Sequence, residues 1–321
     1  MSAVEDLIRA DLQVQLGQPV HGLRPIPEGH SGFTYWVDTE QGRSVLRLPP
    51  PGARAAGPAD VLRQGRILEA LHSQGLPVPR VLAMGAGPLV DGRPFLLMEK
   101  LPGIRIEAAI AAGVPPLVLA ESAVGVLHQL QRVPASATGL SGEQPVSIAD
   151  ELARWRWLME RAPPELTHRG PQLELLLAAD PPSPQPAVLV HGDFHYGNML
   201  FTNGQVVGLV DWEIAELGQP PLDLSCLCVA AEVGASEPGM PPTGRWDVPA
   251  ALLAATFDLD EADFAWWRAL TYYKYAAIFG YNLMLHRRGK RPDPTYEQRI
   301  ASITGFLERG TDLLASRSPQ I

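Results

Sequence analysis

The spacing of apolar residues changes its period partway along the chain. From Ser2 to Leu16 the apolar side chains, among them Leu7, Ile8 and Val14, fall on one side of a helix. The stretch "GLRPIPEGHSGFTYWVDTEQGRSVLRLPP" then reads as strand, glycine-containing turn, strand "TYWVDT", tight turn "EQGR" and strand "SVLRL", which is antiparallel-sheet grammar. Helical spacing returns over Asp60 to His72. The segment "GLPVPRVLAMGAG" is stiffened by prolines, and the short apolar strand "PFLLMEKL" follows it, closing at Pro102 and Gly103. Beyond that pair the chain reads as helices: Pro116 to Gln131, Ile148 to Arg161, and Pro171 to Ala179. Two short β runs, "AVLVHG" and "QVVGLVDW", come next. The long helical stretches "EADFAWWRALTYYKYAAIFGYNLMLHRR" and "YEQRIASITGFLERGTDLLA" complete the pattern. The expected division is 1–101, rich in strands, and 102–321, mainly helical.

At 321 residues the chain can bury a large core, and a composition of 46% hydrophobic and 19% charged residues is that of a globular protein. A net charge of −9 argues against a general nucleic-acid binder, since phosphate backbones are held by clustered Lys and Arg. It leaves open a small polyphosphate ligand, which a local site and a metal can neutralise. The acidic N-terminal segment has no secretory character, and no apolar run of about 18 residues is present, so a cytoplasmic protein without a membrane partner is expected. The two cysteines, Cys226 and Cys228 in "LSCLCVAA", would share one face if that run were a strand. They read as buried small hydrophobes and not as a metal site.

The polar residues of chemical interest concentrate in "LVHGDFHYGNMLF", Leu189 to Phe201. Asp193 can accept the proton of a substrate hydroxyl. The amide oxygen of Asn198 and the carboxylate of Asp211, at the end of the next strand, offer hard oxygen ligands to Mg²⁺ bridging nucleotide phosphates. This order resembles the catalytic loop and metal-binding aspartate of protein kinases, with HGD for HRD and DWE for DFG. His191 reads as an orienting residue. His195 either lines a substrate cleft or braces Asp193. Glu213 either supports the metal or is a solvated carboxylate.

"LVHGDFHYGNMLF" followed by "GLVDWEIAELGQPPLDL" resembles the aminoglycoside phosphotransferase-like family of small-molecule kinases. "LRLPP", "PVPRVLAMG" and "DWEIAELGQPPLDL" are similar to its branch of kinase-like domains fused to acyl-CoA dehydrogenases. The resemblance runs from Glu28 to about Leu314. It implies an α+β, bilobal protein-kinase-like fold, with an antiparallel-sheet lobe for nucleotide and a helical lobe for catalysis and substrate. It implies ATP or GTP as donor, Mg²⁺ on Asn198 and Asp211, and a small-molecule hydroxyl as acceptor. Asp223 in "PPLDL" matches a position that ties the loop down. "EGHSGFTYWV" matches the phosphate-covering loop, with Gly29 and Ser31 near phosphate, and Arg47 stands where the family has a lysine. The partner glutamate on the following helix is replaced by Gln64, and backbone groups at Glu99 to Leu101 would meet an adenine.

Overall fold

The computed structural model describes residues 3–26, 33–53, 56–89, 92–234 and 256–315. Helix α1 (Ala3–Leu16) packs on a sheet of β1 (Val20–Pro25), β2 (Phe33–Thr39), β3 (Gly42–Leu48), β4 (Val81–Leu89) and β5 (Arg93–Glu99). The strands are antiparallel, in the spatial order β1-β2-β3-β5-β4. Ile8 and Leu12 of α1 close over Val20, Leu23, Val37, Leu46, Leu48, Phe95 and Leu97. Successive strand side chains point to opposite faces. Leu46 and Leu48 of β3 therefore enter the α1 core, while Val45 and Arg47 face the other way.

That other face is covered by α2 (Val61–Ser73), whose N-terminus is capped by Asp60 accepting the Arg63 N–H at 2.9 Å. Caps of this kind contribute about 1 kcal/mol. Val61, Ile67, Leu68 and Leu71 of α2 join Leu96 of β5 in a core that continues into the helical part through Leu119, Leu127, Leu189, Phe194 and Trp212. Two further contacts tie α2 to that part. Arg63 forks onto both carboxylate oxygens of Glu143 at 2.8 and 2.7 Å. Gly139, with φ +78°, sits so close to the Arg66 carbonyl that a Cβ there would lie 2.5 Å from its oxygen.

The helical part contains α3 (Ile106–Ala111), α4 (Pro116–Gln131), α5 (Ile148–Met159), α6 (Pro164–Thr167), α7 (Gly170–Ala179), α8 (Pro221–Gly234), α9 (Glu261–Arg287), α10 (Thr295–Gln298) and α11 (Ile300–Ala315). Two antiparallel pairs lie within it: β6 (Val188–Val190) with β9 (Glu216–Gly218), and β7 (Met199–Thr202) with β8 (Gln205–Leu209). Helix α9 is capped by Asp260 and buries Trp266, Trp267, Tyr272 and Tyr273, so most of its aromatic stripe is core. Among the described residues no helix is long and apolar enough to cross a membrane.

The five-stranded sheet and the helical remainder agree with the expected α+β class, and several segments depart from the pattern, among them β7, β9 and α3, which fall where no element is expected. The proline-stiffened stretch ends in β4, whose Gly85 and Gly87 obscure the alternation of a strand. The final helical run is two helices, interrupted at Arg299. The cysteine run belongs to helix α8 and not to a strand. At about 100° per residue its cysteines diverge, and Cys226 and Cys228 enter different cores, both as buried free thiols.

Candidate active site

The loop between β6 and β7 is gripped from several sides. Asp223, fully buried in the first turn of α8, accepts the backbone N–H groups of His191 at 2.7 Å and Gly192 at 2.9 Å. Removing such a buried, doubly bonded acceptor strands two donors, each costing about 1–3 kcal/mol. Burial pushes the Asp223 carboxyl up to about 7, against the downward pull of its two backbone hydrogen bonds. Gly192 has φ +79°, a conformation that favours glycine, and a Cβ there would lie 2.7 Å from the Ile214 carbonyl oxygen.

His191 is held as a neutral ring. Its Nε2 lies 2.8 Å from the Val210 carbonyl, and its Nδ1 accepts the Asp193 N–H at 3.2 Å, which fixes the tautomer with the proton on Nε2. The ring packs against Trp212, centroid to centroid 4.6 Å. Burial lowers its pKa from 6.5 to about 4. A folded pKa below the unfolded one means the unfolded chain takes up this proton first, so His191 supports stability above pH 6.5 and that support is lost as the pH falls towards 4. The difference is worth about 3 kcal/mol. In urea unfolding, the parent protein should lose about that much more stability between pH 7 and pH 4 than His191→Gln, whose amide cannot take up the proton. Parallel pH curves would remove His191 from the acid response.

Three donors converge on the Asp193 carboxylate. Oδ2 receives His195 Nε2 at 3.1 Å and Asn198 Nδ2 at 3.2 Å, and Oδ1 receives the Tyr275 hydroxyl at 3.3 Å. His195 Nδ1 accepts the Gly197 N–H at 3.0 Å, leaving Nε2 as the donor to Asp193. Burial works to raise the Asp193 pKa. The charge and hydrogen bond of His195 outweigh it, aided by Lys274 and His191, and hold the carboxyl below the usual carboxylate range.

Asn198 also donates to the Asp193 carbonyl at 3.0 Å, which commits its nitrogen to the loop and leaves its amide oxygen as the acceptor end. Its backbone carbonyl accepts the Val210 N–H at 2.9 Å, bringing Asn198 beside the segment that carries Asp211. Asp211 has φ +69°, rare for a residue other than glycine, and its side chain is half-exposed. This pair of hard oxygen donors fits Mg²⁺.

Arg47 reaches across from β3 to Asp211 at 3.1 Å and Glu213 at 2.5 Å. These two carboxylates, the ones found for it among the described residues, follow Val210. Gln64 donates to the Pro58 carbonyl at 3.0 Å, and Glu69 is exposed. Glu213 is thus an ion-pair partner of Arg47. Glu99 belongs to the sheet: its N–H donates to the Arg80 carbonyl at 2.9 Å and its carboxylate accepts the Arg80 N–H at 3.0 Å. Leu101 is half-buried, with its side chain near Gly208. Gly29 and Ser31 lie outside the described residues.

Sequence reasoning did not single out Lys274, which is fully buried on α9 and donates to the Gly192 carbonyl. The signal was available, because Lys274 is the lone charge between Arg268 and His286.

A five-stranded antiparallel sheet beside a helical part that presents an Asp-Asn loop and a following Asp defines a kinase-like fold. The chain belongs to the phosphotransferase enzyme family, whose model matches residues 22–271. It is 30% identical over 251 residues to acyl-CoA dehydrogenase family member 10 of Mus musculus, covering 74% of this chain and 23% of that protein. The chain thus spans about a quarter of the length of this relative. It is 27% identical to the homoserine kinase of Pseudomonas aeruginosa (strain LESB58), covering 70% of this chain and 71% of that enzyme. Its fold is that of aminoglycoside phosphotransferase APH(4)-Ia. A thermostable mutant of that enzyme in ternary complex with AMP-PNP and hygromycin B superposes with a TM-score of 0.66 at 15% identity, over 97% of this chain and 99% of the other.

Proposed function

We propose that this protein transfers the γ-phosphoryl group of ATP to a hydroxyl of a small molecule. The observation that carries the reading is the convergence of His195, Asn198 and Tyr275 on the Asp193 carboxylate, next to the Asn198 and Asp211 oxygens. The AMP-PNP and hygromycin B bound to the APH(4)-Ia mutant support an adenine nucleotide and a small hydroxylated acceptor. In this reading Asp193 orients the acceptor hydroxyl and takes its proton as the new O–P bond forms. His195, Asn198 and Tyr275 hold the carboxylate in one orientation, so that catalysis is mostly positioning. Asn198 and Asp211 would hold Mg²⁺, which neutralises phosphate charge when bound. Residues 1–101 serve the nucleotide, with Arg47 on its phosphates and the backbone at Leu101 near the base, and residues 102–321 serve the acceptor. The test is Mg²⁺-dependent consumption of ATP across a panel of hydroxyl compounds that includes sugars, antibiotics, homoserine and hydroxyacyl-CoA thioesters. Absence of metal-dependent turnover with every acceptor, and with water, refutes it.

Arg47 tests the nucleotide side. Its ion pairs with Asp211 and Glu213 pre-set a cation beside the metal ligands, and a guanidinium forks onto phosphate oxygens. Arg47→Ala should weaken Mg-ATP binding by about tenfold or more, equivalent to about 1.4 kcal/mol, and Arg47→Lys should recover much of the loss through retained charge. Calorimetric titration of the three proteins decides it, and an unchanged Kd in the alanine variant removes the clamp.

A further inference from the structure

Lys274 occupies a position that packing alone does not explain. Its side chain is fully buried. The ammonium donates to the Gly192 carbonyl, lies 3.7 Å from Cys226 Sγ, and sits 5.2 Å from the Trp155 ring centroid and 5.7 Å from that of Tyr275. Trp155 is itself fixed by its indole N–H donating to Glu151 at 2.8 Å. Taking an ammonium out of water carries a penalty of several kcal/mol, and a methionine would fill the same volume without it. A group kept at that penalty points to a task at the atom it touches.

That atom belongs to the peptide joining Gly192 to Asp193. On one side, the Gly192 N–H is held by Asp223 at 2.9 Å. On the other, the Asp193 N–H is held by His191 Nδ1 at 3.2 Å. Gly192 is pressed against the Ile214 backbone, leaving no space for a side chain. The carbonyl between these two N–H groups is the remaining handle on the peptide plane, and the direction in which Asp193 leaves the backbone follows from that plane.

We infer that Lys274 is a positioning residue: from α9 it fixes the Gly192–Asp193 peptide through the Gly192 carbonyl and so aims the Asp193 carboxylate at the acceptor hydroxyl. The inference rests on the phosphotransferase reading for its catalytic consequence, and on the loop contacts alone for its structural one. Lys274 touches neither nucleotide nor acceptor in this account, and acts through Asp193.

The test compares the parent with Lys274→Met, which keeps the volume and removes the donor, and Lys274→Gln, which keeps an N–H donor on a shorter arm. Backbone amide exchange over residues 191–198, calorimetric Mg-ATP binding, and phosphate release from Mg-ATP with water as acceptor are measured on each. In Lys274→Met the loop amides should exchange at least about tenfold faster while α9 keeps its protection, because the local opening free energy falls and the global one does not. Turnover should fall at least about tenfold with Mg-ATP affinity within about a factor of two, and Lys274→Gln should lie between the two proteins. A folded Lys274→Met with parental loop exchange and turnover overturns the inference. So does a fall in Mg-ATP affinity in step with turnover, since that reports general loosening. If Lys274→Met does not fold, Lys274→Gln decides by the same readouts, and parental values in it overturn the inference. A parent protein that turns over Mg-ATP neither with water nor with any acceptor of the panel refutes the phosphotransferase reading instead, and the exchange comparison still decides whether Lys274 holds the peptide.

Discussion

Asp193→Asn should leave Mg-ATP binding near the parental value and slow phosphoryl transfer by about 10²- to 10⁴-fold, the span that a positioned general base contributes. The substitution keeps the side chain's shape but turns one acceptor oxygen into a donor. Asp193 now accepts from His195, Asn198 and Tyr275. An amide nitrogen at Oδ2 would face two donors, whereas at Oδ1 it can donate to the Tyr275 hydroxyl, so the side chain keeps that second orientation and the loss is that of the proton acceptor. The oxygens of Asn198 and Asp211 proposed to hold the metal are untouched, which is why the loss belongs in kcat and not in nucleotide affinity. Single-turnover kinetics with a labelled ATP separate the two, and transfer within a few-fold of the parent takes Asp193 out of the chemistry.

Asp211→Ala should abolish the Mg²⁺-dependent protection of the protein by ATP against thermal unfolding. A ligand that binds only the folded state stabilises it by about 2.7 kcal/mol at a hundred times its Kd, and this protection vanishes with the metal site. The substitution also places an alanine where φ is +69°, a conformation it tolerates less well than aspartate, and removes one of the Arg47 ion pairs, so the unliganded stability moves too. The decisive quantity is therefore the shift in Tm caused by Mg-ATP within each protein. Equal shifts in parent and variant would assign the metal elsewhere.

The sequence is legible where chemistry is local. Helix α4 appears with its observed bounds from apolar spacing alone, and strand alternation suffices to put Arg47 on the face opposite Leu46 and Leu48. Asp193 and Asn198 lie within one loop, and the β run that leads into Asp211 is read from its residues, whereas its partner strand β7 is not. Contacts between distant positions were not legible. Glu213 meets Arg47 across 166 residues, and Lys274 and Tyr275 meet the catalytic loop across 82. No local periodicity encodes such pairings, because they depend on how α9 crosses the loop. Gln64 illustrates the same limit: on one helix it looks like a lost ion pair, whereas in three dimensions Asp211 and Glu213 pair with Arg47 from another segment.

Strand β5 is the common wall of two cores, giving Phe95 and Leu97 to the cluster under α1 and Leu96 to the one that runs from α2 to Trp212. With α2 also fastened by Arg63 to Glu143 and by Gly139 at Arg66, residues 1–101 share their core with the residues that follow them. A chimera that takes residues 1–101 from a relative therefore sets a foreign α2 against this chain's α4 and catalytic loop. Compatibility across that seam, more than the nucleotide contacts themselves, governs which relatives can donate the sheet.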